Sequence, residues 1–152
     1  MDANLPAYFM PHGLGHLIGL ETHDVGGIRK QEMPRPKELG YKSLRCLRKL
    51  EKDMVITVEP GCYFVGTLLD RVLANEELAK LVDVATLETF RDFGGVRLED
   101  CVVVTSSGIR NLTCAPRTIA DVEAVMAGII TTRAELEHRY CAEAARVPLK
   151  KM

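Results

Sequence analysis

The chain has 152 residues, of which 47% are hydrophobic and 27% charged, enough for one ordinary domain with a core of its own. Its 20 basic and 21 acidic residues leave a net charge of -1, so no overall field favours nucleic acid or an anionic membrane. No apolar run approaches the roughly 18 residues of a membrane span, and the opening MDANLPAYF lacks a basic region followed by an apolar core; the expectation is a cytoplasmic protein. The five cysteines, Cys46, Cys62, Cys101, Cys114 and Cys141, are scattered without a C-x-x-C pair. That argues against a disulfide framework or zinc knot and predicts free thiols, most of them buried. The basic ending from Leu149 to Met152 reads as a solvated tail.

In chain order, residues 5 to 25 read as an extended segment, and Ile28 to Tyr41 as a polar, proline-bearing loop where flexibility is cheap to build. Met54 to Phe64, MVITVEPGCYF, is β-branched and apolar until Pro60-Gly61 breaks it, which predicts a strand with Glu59 at its end. Gly66 to Phe93 has leucines at helical spacing, with Leu78, Leu81 and Val82 on one face, and is expected to form one or two helices as a covering insertion. Gly94 to Thr113 predicts two strands joined at Ser106-Ser107-Gly108. Thr118, followed three residues later by Asp121, opens a helix over about 119 to 146 whose Ile119, Val122, Val125 and Met126 face the core.

Three of the four histidines, His12, His16 and His23, fall within PHGLGHLIGLETHDVGG. Gly13 and Gly15 make a helical pair of His12 and His16 a poor reading, so the segment is better taken as extended, with both rings to one side and a bend near Gly19 bringing His23 back. On an alternating strand Val55, Thr57 and Glu59 share a face, as do Arg97 and Glu99 on the next. Taken singly, Glu59 reads as well as a strand-end carboxylate in solvent, and Arg97 with Glu99 as a surface ion pair. Together, three histidines and two strand carboxylates point to a metal site, one His and two Glu being hard ligands suited to manganese, iron, cobalt or zinc.

The ordered set HGLGH, THDVGG, VEPG and GGVRLED resembles the second half of the metallopeptidases of creatinase or pita-bread fold, and within them the prolidase branch. The likeness runs over about residues 5 to 127. It implies an α+β fold, an antiparallel sheet covered by helices, of which residues 1 to 152 form the C-terminal part. It further implies that His16, Glu59 and Glu99 are metal ligands, Glu99 bridging two ions, and that His12 and His23 bind substrate and stabilise the tetrahedral intermediate, with Arg97 orienting the metal-binding carboxylates. Arg45 matches the arginine that receives the C-terminal carboxylate of a dipeptide, with Arg48 as its decoy. The activity implied is hydrolysis of Xaa-Pro dipeptides with two divalent ions, manganese first and cobalt or zinc next. A non-catalytic binding module of the same fold, taking peptides or other proteins, or an aminopeptidase acting on longer peptides with proline second, is the alternative.

The family's complete site also takes an aspartate pair from an earlier hairpin, and no pair of aspartates here has its spacing. Two divalent ions carry four positive charges against the two negative charges of Glu59 and Glu99. The chain alone is therefore expected to bind metal weakly or singly and to be inactive without the missing N-terminal half. That half, or a second copy in a homodimer, would cover the exposed sheet face. Glu51-Lys52-Asp53 stands where the family usually has a proline-glycine turn.

Overall fold

A computed structural model describes residues 4–28, 34–141 and 143–145, together with the side chains of these except His138 and those of 143–145. The basic tail and the part of the proline-bearing loop at 29–33 lie outside the described residues. The chain divides into two units, one of residues 1–48 and 58–99, the other of 49–57 and 100–152.

In the first unit, α1 (Pro6–Phe9) opens the chain with a proline at its start, where the missing N–H costs no helical bond. This corrects the extended reading for those residues. The insertion folds into three short helices, α2 (Gly66–Leu73), α3 (Glu76–Ala79) and α4 (Val84–Thr89), rather than one or two. The extra breaks are capped locally: Asn75 accepts from the amides of Glu77 and Leu78, and Asp83 from that of Thr86. Leu69, Val72, Leu78 and Leu87 are buried by these helices, but Leu81 is 58% exposed, since α3 ends before it. Phe64 stacks on Phe90 at 4.7 Å and meets Phe9 and Phe93 edge-on.

Two short strands, β2 (Gly61–Tyr63) and β3 (Gly95–Arg97), pair antiparallel with Gly61 opposite Arg97 and Tyr63 opposite Gly95. A Cβ at Gly61 would collide with the Tyr63 hydroxyl, and one at Gly95 would lie 2.6 Å from Tyr63 Cδ1 and 2.9 Å from the Cys62 carbonyl. The two glycines therefore make the room in which the Tyr63 ring lies.

The second unit is built on a sheet of order β1-β4-β5-β6, formed by β1 (Val55–Val58), β4 (Asp100–Val104), β5 (Gly108–Asn111) and β6 (Glu143–Ala145). β4 and β5 pair antiparallel through the turn that ends at Gly108, where the Thr105 hydroxyl accepts from the Gly108 amide. Asp53 holds φ at +71°, and its amide donates to the Val104 carbonyl at the start of β1. Val102 and Thr57 are fully buried.

Four further expectations are corrected. Arg97 and Glu99 do not share one strand: β3 ends at Arg97, the Leu98 amide turns to the Pro60 carbonyl, and β4 begins only at Asp100. The helix expected over about 119 to 146 is two, α5 (Ile119–Met126) and α6 (Arg133–Tyr140). Gly128, with φ at +70°, ends the first, its amide bonding Val125 and that of Ile129 bonding Ala124, while a capping box of Thr132 and Glu135 starts the second.

The buried side chain of α5 is not apolar: Ile119 and Met126 are 78% and 83% exposed, whereas Asp121 is buried. Its carboxylate accepts from Thr118, Tyr140 and Arg139, so a polar cluster, not the apolar stripe, sets which way the helix turns. Finally, Cys114 and Cys141 form a disulfide, against the expectation of free thiols. Outside that bond, Cys62 is exposed and Cys46 and Cys101 are half-buried, not buried.

Candidate active site

Six of the seven residues singled out in the sequence, His12, His16, His23, Arg45, Glu59 and Arg97, line one cavity of about 190 Å³ in the first unit. Backbone contacts bring them there. The Glu59 amide donates to the Leu14 carbonyl at 2.6 Å, which holds the end of the VEPG strand against the histidine segment. A Cβ on Gly27 would collide with the Arg45 carbonyl, and one on Gly13 would come 3.1 Å from Leu44 Cα. Together with the bond from the Leu47 amide to the Gly27 carbonyl at 2.8 Å, these close approaches seat the segment carrying Arg45 on the histidine segment.

His16 and Glu59 are both buried and stand 2.9 Å apart, Nε2 to Oε1. His16 Nδ1 lies 2.9 Å from the Leu17 carbonyl, which can only accept, so Nδ1 carries the hydrogen. Nε2 then meets a carboxylate oxygen with a single position between them, to be filled by a proton or by a cation. The separation is that of a direct hydrogen bond, and also about the 3 Å at which two donors at right angles stand around an octahedral ion. A nitrogen and a carboxylate oxygen fit zinc, manganese, iron or cobalt. The edge of the His23 ring meets His16 at 4.5 Å between centroids.

Arg97 faces the other oxygen of Glu59, with Nη1 3.5 Å from Oε2, and its Nε donates to the Tyr63 hydroxyl at 2.6 Å. The Tyr63 bond, together with the charges of Glu59 and Glu99, raises the guanidinium above its ordinary value and keeps it a cation. His12 closes the chain of contacts. Its Nδ1 donates to the Gly13 carbonyl at 2.7 Å, so Nε2, 2.8 Å from the Tyr63 hydroxyl, is the acceptor and Tyr63 donates to it. Tyr63 was not foreseen; the only sequence signal was the pair of glycines, Gly61 and Gly95, flanking its place in two strands.

Glu99 is not in the cavity. It lies exposed in the break between β3 and β4, near enough to Arg97 to act on its charge. Among the described residues no group of three or more His, Cys, Asp or Glu is gathered to hold a metal ion. What stands in place is a two-donor pair, buttressed by Arg97. Arg48, the decoy, does not line the cavity.

Residues 3–106 match the model of metallopeptidase family M24. The chain belongs to that family of metallopeptidases, and its elements are part of the pita-bread α+β fold. It is 52% identical over 128 residues to the Xaa-Pro dipeptidase of Homo sapiens, covering 84% of this chain and 26% of that protein. It is 45% identical over 127 residues to a probable Xaa-Pro aminopeptidase of Ajellomyces dermatitidis, again covering 84% and 26%. Among solved structures, zinc-substituted Escherichia coli aminopeptidase P in complex with product superposes with a TM-score of 0.52 at 30% identity, covering 85% of this chain and 22% of that one. The chain thus spans about a quarter of the length of the relatives it matches.

Proposed function

We propose that this chain carries part of the centre of a dinuclear metallopeptidase that hydrolyses Xaa-Pro dipeptides. The observation that carries the reading is the His16–Glu59 pair at 2.9 Å in a cavity that also presents Arg45 and Arg97. His16 and Glu59 would hold one ion, with Glu99 joining them when the remaining carboxylates are supplied by the preceding part of the domain. When bound, such metals, manganese foremost, would lower the pKa of water and polarise the scissile carbonyl. Arg97 holds one oxygen of Glu59 so that the other faces the ion, the kind of support that metal-bound carboxylates require. His23 at the cavity wall, and His12 once its Nε2 has exchanged the Tyr63 contact for a proton of its own, bind the substrate and the oxygen that gains charge in the tetrahedral intermediate.

Arg45 takes the free C-terminal carboxylate through two parallel hydrogen bonds, which selects dipeptides over longer chains. Two negative charges against four positive ones leave the isolated chain inactive, and we place the assembled enzyme in the cytoplasm as a homodimer. The test is to co-express the chain with the preceding part of such a domain and assay glycyl-proline and a tripeptide with proline second, with manganese present. Cleavage of the dipeptide alone supports the reading. Cleavage of the tripeptide favours the aminopeptidase alternative, and a folded assembly that binds either peptide without cleaving it favours the binding module.

A further inference from the structure

A second cavity, of about 300 Å³, shares His16, His23 and Arg45 with the first. Its wall also contains Arg35 and Asp24. Among the described residues neither Arg35 nor Arg45 has an ion-pair or side-chain hydrogen-bond partner. By contrast Arg91 is engaged by Glu88 and Asp70, and Arg97 by Glu59 and Tyr63. A lone unpaired arginine on a surface is unremarkable, but two guanidiniums lining one concavity beside a reacting centre create a place for an anion. Among the described residues the one acidic group of its wall, Asp24, is turned to its own backbone, with Oδ1 accepting from the Val25 amide at 2.9 Å.

Arg35 lies between Pro34 and Pro36. Each proline fixes its own φ, and the residue before a proline is confined to extended backbone. The segment therefore presents the Arg35 side chain with little backbone freedom left to lose on binding. We infer that Arg35 is a second substrate-binding cation, which together with Arg45 grips the C-terminal carboxylate of the dipeptide across this second cavity. One guanidinium occupies one edge of a carboxylate, leaving lone pairs for another. The inference rests on the dipeptide reading of Arg45 and adds a residue to it.

The test is titration of the chain with glycyl-proline and with glycyl-prolinamide, which lacks the charge, followed by NMR for the wild type, Arg35→Gln, Arg35→Lys and Arg45→Gln. The expected result is tighter binding of the acid than of the amide, an acid affinity about tenfold weaker in Arg35→Gln, partial rescue in Arg35→Lys, and an amide affinity unchanged throughout. Loss of the acid preference in Arg45→Gln but not in Arg35→Gln overturns the role of Arg35 and leaves the dipeptide reading standing. Acid and amide binding alike to the wild type, or neither binding, overturns both.

Discussion

The Tyr63 hydroxyl receives Arg97 Nε at 2.6 Å and reaches His12 Nε2 at 2.8 Å, so one phenol oxygen links the cation facing Glu59 to the histidine across the cavity. Tyr63→Phe removes both contacts and keeps the ring that Gly61 and Gly95 accommodate. The expected cost is roughly 1 kcal/mol of stability, read from urea unfolding, with a displaced His12 ring resonance in NMR. An unmoved His12 signal contradicts the link.

Asp53 occupies the left-handed region at φ +71° just before β1, in the Glu51-Lys52-Asp53 stretch where the resemblance expects a proline-glycine turn. Its contact with Lys52 is 3.8 Å, with both side chains largely in solvent, and offsets little of the strain. Asp53→Gly is therefore expected to stabilise the protein by roughly 0.5 kcal/mol, the relief of left-handed strain less the added entropy of the unfolded glycine. A raised thermal midpoint supports this, and a lowered one contradicts it.

Much of this molecule was legible as sequence. The VEPG strand, the Ser106-Ser107-Gly108 hairpin and the Thr118 cap follow from β-branching, turn glycine and capping spacing, and the family motifs named six residues that line one cavity. What was missed has physical reasons. The break at Leu98 and Glu99 is set by pairing partners, since Pro60 takes the Leu98 amide away from the strand, and periodicity carries no record of partners. The orientation of α5 was misread because an apolar stripe was trusted over Asp121, whose three partners come from its own cap and from α6. The break between α5 and α6 had signals in Gly128 and the Thr132–Glu135 spacing, which the reading of a single helix passed over.

The disulfide between Cys114 and Cys141 closes a sequence separation of 27 residues around α5 and α6. Chain-entropy reasoning gives about 3.5 kcal/mol for a loop of that size. Cys141→Ser, or reduction by a dithiol, is expected to lower the stability of the second unit by about that amount in denaturant unfolding while Tyr140 still contacts Asp121. Equal stability of the oxidised and reduced chains would contradict it.

Acid should loosen the start of β4. The Arg117 guanidinium, helped by the Asn111 amide, holds the Asp100 carboxyl below the ordinary carboxylate range. A group depressed in the folded state stabilises fully above its unfolded value, near 4, and ceases to as pH falls through the folded value. The unfolding free energies of wild type and Asp100→Asn, measured from pH 7 to pH 2, are expected to converge below about pH 4. A gap that is independent of pH contradicts the ion pair's contribution.

Calorimetric titration of the chain with manganese tests whether His16 and Glu59 are two donors to one divalent ion. Weak, single-site binding is expected, disappearing in both His16→Ala and Glu59→Gln while circular dichroism shows the fold retained. Binding that survives in those variants, or no binding in the wild-type chain, would contradict it.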